Sequence, residues 1–165
     1  MGAPSAVGLY NQEILDSLLL HSESNNWQVR RQCYRALAAL ASSLTEGRER
    51  AIAACLKEAQ GKHWKGKGSL LQALATLISV VVATAGSHDQ MVVASASALC
   101  EEMTKKGPTR SQKYKSHAAK ALCSIVRETS TILTPAAKEQ LWKGLWPVPL
   151  EGLHQEKKKM VNVVS

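Results

Sequence analysis

The chain carries the same arrangement of small and large apolar residues three times, and this repetition limits the folds that it can adopt. The first copy begins at Trp27 and the second at Trp64, an offset of 64 − 27 = 37 positions, and the third copy follows the second by 121 − 73 = 48 positions. A period in this range is typical of stacked helical hairpins, because one pair of helices cannot bury its apolar face without a neighbouring pair. The repeated positions are Trp27, Arg30, Cys33, Ala36, Leu37 and Leu40 in the first copy, Trp64, Lys67, Leu70, Ala73, Leu74 and Leu77 in the second, and Lys115, Ala118, Ala121, Leu122 and Ile125 in the third.

Apolar spacing and turn residues together predict about seven helices and an all-α fold, an α-solenoid of HEAT-like or armadillo-like hairpins. In the first helix, Ile14, Leu15, Leu18 and Leu19 follow the i, i+3, i+4 spacing of a half-buried helix. Glycine and proline separate the later helices. The predicted helices are Asn11–His21, Trp27–Ser43, Glu46–Gln60, Lys67–Ala85, Asp89–Lys106, Ser111–Ser130 and Pro135–Leu145.

These helices define a predicted domain organisation in three parts. Residues 1–10 form an N-terminal extension, residues 11–153 a HEAT-like helical repeat domain, and residues 154–165 a basic flexible tail. Neither end has the polar capping helix that usually closes a solenoid. The chain is therefore expected to be a fragment or a short form of a longer array, and its oligomeric state stays open.

The composition fits a globular helical protein with a basic surface. Apolar residues make up 45% of the chain, and the 21 lysines and arginines exceed the 13 aspartates and glutamates by 8. A net positive charge raises affinity for nucleic acid, anionic lipid or acidic protein surfaces without choosing among them. The most apolar window, Ser69–Ala85, is shorter than the roughly 20 residues that a membrane-spanning helix needs, so no transmembrane segment is predicted.

The four cysteines lie within apolar helical patterns, without a CxxC pair or a preceding secretory signal. This arrangement predicts buried thiols in a reducing compartment. The cysteines are Cys33, Cys55, Cys100 and Cys123.

Two groups of basic residues fall at predicted turns between helices. Turns of a solenoid align along one edge, so the groups are candidates for a positive ridge that binds an acidic partner or a phosphate backbone. The competing interpretation is that these side chains only keep the surface soluble. The ridge residues are Lys62, Lys65, Lys67, Lys105, Lys106, Arg110, Lys113 and Lys115.

No catalytic, cofactor-binding or metal-binding residue is predicted. The segment from Gly61 to Gly68 has glycines and a lysine at phosphate-loop positions, but Gly68 stands where the magnesium-binding hydroxyl belongs and a helix precedes the loop. The five histidines are far apart, with no HxxxH spacing. Glu101 and Glu102 are adjacent and point about 100° apart on a helix, so they do not face one cleft.

One segment resembles part of a known family, the large HEAT-repeat proteasome adaptor and scaffold proteins. In that family a turn with Gly, Trp and Gly-Lys leads into a Leu-Leu-x-Ala helix near the C-terminal end. Here the order is kept, with Gly68 and Ser69 at positions where the family has acidic residues, and a weaker similarity extends from Asn11 to Leu145. The segment reads Gly61-Lys62-His63-Trp64-Lys65-Gly66-Lys67-Gly68-Ser69-Leu70-Leu71-Gln72-Ala73-Leu74-Ala75.

This resemblance implies a non-enzymatic tether between the proteolytic core of the 26S proteasome and its regulatory cap, with links to membrane-trafficking and motor proteins. It also implies a location in the cytoplasm and nucleus, with some of the protein peripheral to endomembranes. The leading hypothesis is thus a protein-binding scaffold whose partners are proteasome subunits. The alternatives are a nucleic-acid-binding helical module that uses the basic turns and, more remotely, a phosphate-loop enzyme.

Overall fold

The computed structural model describes residues 6–85, 88–107 and 110–145, and the side chains of residues 8–84, 88–107 and 110–143. These residues form helices only, as the repeat predicts. Residues 6–10 belong to the first helix and not to a separate extension, while the tail at 154–165 lies outside the described residues. The helices are α1 (Ala6–His21), α2 (Trp27–Leu40), α3 (Arg48–Gln60), α4 (Gly68–Ala85), α5 (Asp89–Thr104), α6 (Gln112–Thr129) and α7 (Pro135–Leu145).

The helices pack as consecutive hairpins in two rows. Helices α1 and α2, α3 and α4, and α5 and α6 pair as neighbours along the chain, and α7 packs on α5. One row contains α1, α3, α5 and α7, and the other contains α2, α4 and α6. The second row will be called the inner row. Helix α4 contacts α2, α3, α5 and α6, so it lies at the centre of this solenoid-like stack.

Short polar side chains fix the starts of several helices. The Asn26 side chain accepts the backbone N–H of Gln28 at 2.9 Å at the start of α2. The Ser111 hydroxyl accepts the N–H of Tyr114 at 3.2 Å at the start of α6. Such caps satisfy N–H groups that have no partner inside the helix, and they place the first turns of α2 and α6 accurately.

The repeated positions form the shared core. Leu37, Leu74 and Leu122 are fully buried at equivalent positions of the three inner helices. Ala73 and Ala121 are buried as well, whereas Ala36 is half-buried. Because α2 has an inner-row neighbour on one side only among the described helices, its small repeat position is less covered.

None of the described helices combines the length and the apolar character that crossing a membrane requires. The most apolar of them is α4, and its burial at the centre of the stack accounts for that character.

Candidate functional site: a basic groove beside a buried ion cluster

A groove of about 680 Å³ lies where the three inner helices begin. Trp27 is the first residue of α2, Gly68 is the first residue of α4, and Ser111 is the N-cap of α6. This basic groove therefore crosses three consecutive hairpins. Its lining residues are Trp27, Arg31, Arg35, His63, Lys65, Gly66, Gly68, Ser69, Gln72, Ser111, Lys113, Tyr114 and His117.

The charge of the groove has one sign. Arg31, Arg35, Lys65 and Lys113 line it, and none of its lining residues is acidic. The two arginines are four positions apart on α2, so they lie on one face of that helix. The positive ends of three helix dipoles point toward the same space. The groove therefore attracts anions through both its side chains and its backbone.

Both repeated tryptophans have a cation over the ring, but only Trp27 lines the groove. The ammonium of Lys65 lies 4.6 Å from the centre of the Trp27 ring, and the guanidinium of Arg30 lies 4.3 Å from the centre of the Trp64 ring. Tyr34 also stacks on Trp64, with ring centres 6.0 Å apart. Trp64 packs against the core, whereas Trp27 forms part of the groove wall.

The turn that enters α4 requires glycine at one position. Gly66 has a φ of +96°, and a Cβ atom there would lie 3.2 Å from the Trp64 ring and 3.4 Å from the Cβ atom of Arg31. Residues with a side chain rarely adopt this φ. Gly66 therefore lets the turn pass close to α2 and closes that side of the groove.

Behind the groove, Glu102 of α5 lies at the centre of a buried ion cluster. Its carboxylate accepts hydrogen bonds from the Tyr114 hydroxyl at 2.7 Å and from the Lys105 ammonium at 2.9 Å. The Lys67 Nζ lies 3.5 Å away and the Arg110 Nε 3.6 Å away. The side chains of Glu102 and Lys67 are completely buried. These five residues will be called the Glu102 cluster.

Lys67 connects three helices. Its Nζ donates to the carbonyls of Ala59 at 2.7 Å and Gly61 at 3.0 Å, at the C-terminal end of α3. That end carries unpaired carbonyls and the negative end of a helix dipole. Since the ammonium is taken up by α3 and by Glu102, Lys67 does not face a phosphate, and its segment lies between two helices and not after a strand.

The same connection occurs one hairpin earlier. Arg30, at the repeat position equivalent to Lys67, forms an ion pair with Glu58 of α3. In both cases a cation near the start of an inner helix reaches a glutamate in the last turns of the first helix of the next hairpin. The repeat thus includes an ionic contact between hairpins as well as an apolar core.

The cluster shifts the pKa values of its members. Burial alone would raise the pKa of Glu102, but the Tyr114 hydroxyl, Lys105 and Lys67 outweigh it and hold this pKa below its ordinary value. Burial lowers the pKa of Lys67, opposed by Glu102. Burial, together with the charges of Arg110 and Lys67, lowers the pKa of His63. The His63 ring therefore enters the groove in its neutral form at neutral pH.

The structure distributes the predicted ridge residues over different environments. Lys65 and Lys113 line the groove, while Lys67, Lys105 and Arg110 belong to the Glu102 cluster. Lys67 is fully buried and does not lie on the surface. Its ammonium instead binds carbonyls at the C-terminal end of α3 and the carboxylate of Glu102. Lys62 and Lys106 are exposed and Lys115 is half-exposed.

Sequence reasoning missed Arg31 and Arg35 as members of the site. The available signal was their i, i+4 spacing on α2, just after the repeated tryptophan. This spacing does not indicate that a groove forms. The arginines of α2 make one wall of the groove, and the opposite wall comes from α6, about 80 residues later in the chain.

Three of the four cysteines are buried, and burial raises the pKa of each of these three thiols. Cys33, Cys55 and Cys100 are buried, and Cys123 is half-buried, less covered than predicted. Burial raises the pKa of Cys55 to about 12 and that of Cys100 to about 11, so both are protonated at neutral pH. Among the described residues no three His, Cys, Asp or Glu side chains converge as metal ligands.

The fold and the groove define a class, an all-α protein built of stacked helical hairpins with a basic groove across its inner row. No model of a known protein family matches the chain, and no curated protein matches it either.

Proposed function

We propose that this chain is a non-enzymatic protein-binding scaffold that associates with the 26S proteasome in the cytoplasm and nucleus. The observation that carries the proposal is the open groove, which three consecutive hairpins build together. A stack of hairpins that presents one continuous surface is the arrangement that solenoid proteins use for partners. The proteasome as partner is supported by the resemblance of the segment Gly61–Ala75, whose residues His63, Lys65 and Gly66 line the groove.

The chemistry of the buried groups supports a role without catalysis. The thiols of Cys55 and Cys100 are protonated, and protonated thiols are poor nucleophiles. The carboxylate of Glu102 is occupied by Tyr114 and three cations. These groups stabilise the contacts between hairpins.

The proposal is tested by capture of the proteasome. The tagged chain is immobilised and exposed first to nuclease-treated cell extract and then to purified 26S proteasome, with the tag alone as control. We expect proteasome subunits to be retained from both. Absence of binding to the purified proteasome would exclude the association.

A nucleic-acid-binding module is the second candidate, favoured by the net charge of +8 and by the basic groove. In that case the immobilised chain would retain material from untreated extract but not from nuclease-treated extract. Its binding to nucleic acid would also fall steeply with salt.

A further inference from the structure

The basic groove is long enough to hold a short extended peptide. It runs across the starts of α2, α4 and α6, and packed helices lie about 8–10 Å apart. The distance from the first to the third helix is therefore about 16–20 Å, which about five or six residues of extended chain cover at roughly 3.3 Å each. In such a chain alternate side chains point the same way, toward the floor of the groove.

The two arginines of the groove remain available to a partner. Arg31 and Arg35 form no ion pair with any described carboxylate, and both are exposed. A guanidinium binds a carboxylate with two parallel hydrogen bonds. Lys65 and Lys113 extend the same charge across the turn before α4 and the first turn of α6. The Nδ1 atom of His63, also at the groove, is buried without a hydrogen-bond partner among the described residues.

The aromatic residues distinguish peptide from single-stranded nucleic acid. Sequence-independent binding of single strands depends on aromatic rings on which bases stack. Here Lys65 covers the Trp27 ring, and Arg30 and Tyr34 occupy the Trp64 ring. These rings are engaged within the protein, whereas the guanidinium groups of Arg31 and Arg35 have no ion-pair partner among the described residues.

We propose that the basic groove binds an extended acidic peptide segment of a partner protein, with aspartate or glutamate at alternate positions facing Arg31, Arg35, Lys65 and Lys113. This assignment rests on the proposed protein-binding role and gives that role a defined ligand chemistry. It places the binding surface inside the groove, which includes Lys65 and Lys113 of the predicted ridge but none of its other members.

The test is a titration of the full chain against a fluorescein-labelled peptide of about ten residues with glutamate at alternate positions. Controls are the same peptide with glutamine in place of glutamate and a single-stranded oligodeoxynucleotide of similar length. We expect saturable binding of the acidic peptide that weakens with salt, and at least about tenfold weaker binding of the glutamine peptide and the oligonucleotide.

A pair of charge-reversed variants locates the binding. Arg31→Glu with Arg35→Glu should weaken peptide binding at least about tenfold. The control with the same change in net charge is Arg50→Glu with Arg127→Glu, two exposed arginines at the opposite ends of their helices from the groove. These arginines pair with Asp16 and Glu128, away from the groove, and their reversal should change peptide affinity by less than about twofold. Circular dichroism confirms that both variants fold, and Arg31→Gln with Arg35→Gln provides a milder form of the first.

Three results would overturn the assignment: no binding of the acidic peptide, equal losses in the groove and control variants, or tighter binding of the oligonucleotide. Peptide binding is measured without the proteasome, so the two proposals fail separately. Intact proteasome capture without peptide binding contradicts the groove assignment alone. Peptide binding without proteasome capture contradicts only the identity of the partner.

Discussion

At the scale of single residues, the Glu102 cluster contains more positive than negative charges. This excess determines which substitution lowers the stability of the protein most. Three cations, Lys67, Lys105 and Arg110, surround one carboxylate. Glu102→Gln leaves these cations facing one another, with Lys67 completely buried. Lys67→Met leaves Glu102 with Tyr114 and two cations. Removal of the carboxylate should therefore cost about 3–5 kcal/mol, and removal of the lysine about 1–2 kcal/mol.

Urea unfolding of the two single variants and of the double variant measures this difference. The double variant should lose less stability than the sum of the single losses, because Lys67 is no longer present to be left without its partner. Equal losses for the two single variants, or additive ones, would show that Glu102 does not hold the cluster together.

The same carboxylate makes the stability of the protein depend on pH, with stability lost on acidification. The pKa of Glu102 lies below its ordinary value of 4.5 in the folded chain, so the unfolded chain binds this proton more tightly. The stabilisation is complete above that ordinary value and is lost as the pH falls through the folded pKa. We expect the unfolding midpoint of the wild type to fall more steeply on acidification than that of Glu102→Gln. Parallel pH profiles in urea would contradict this.

At the scale of elements, the two tryptophans have the same repeat position but different roles. Trp64 joins hairpins, since it carries Arg30 and Tyr34 of α2 and packs against the core. Trp27 lies at the groove, beneath Lys65. We expect Trp64→Ala to lower the free energy of unfolding by about 3 kcal/mol and Trp27→Ala by about 1 kcal/mol or less. Thermal melts of both variants test which substitution destabilises the protein more. Equal decreases in melting temperature would contradict the different roles of the two tryptophans.

The elements themselves could be predicted well from the sequence. Their signals are local: Leu and Ala spacing within one helix, and glycine or proline between helices. The predicted start of α2 at Trp27 and both ends of α7 agree with the structure. The predicted start of α1 at Asn11 is wrong, since the helix begins at Ala6. Leu9 and Tyr10 are exposed, so the first turns of α1 do not continue the apolar face on which the prediction depends.

The site could be predicted only in part, because its contacts join distant parts of the chain. Lysine at a turn is usually solvated, and nothing near Lys67 in sequence indicates that Glu102, on another hairpin, will bury it. The equivalent ion pair of Arg30 and Glu58 shows that the pattern belongs to the repeat. Its partners lie 28 and 35 positions along the chain, beyond the reach of helical periodicity.

At the scale of the whole molecule, stability should decrease from the centre of the stack to its ends. Helix α4 contacts four other helices, whereas α1 packs chiefly on α2 and α3. Each repeat of a solenoid is stabilised by its neighbours, so a terminal helix can open without the rest. Leu15 of α1 and Leu74 of α4 are both completely buried, and they form a matched pair of core sites with different numbers of neighbours.

Leu74→Ala and Leu15→Ala remove the same atoms, and each should cost about 3–5 kcal/mol locally. Hydrogen exchange measured by mass spectrometry separates their effects. In Leu74→Ala we expect faster exchange in all described helices, since the central helix couples both rows. In Leu15→Ala the increase should be confined to α1 and the adjoining turns of α2 and α3, with α5 and α6 unchanged. If both substitutions accelerated hydrogen exchange equally in all described helices, the stack would unfold as one unit. The stability of each helix would then not depend on its immediate neighbours, contrary to the two-row arrangement.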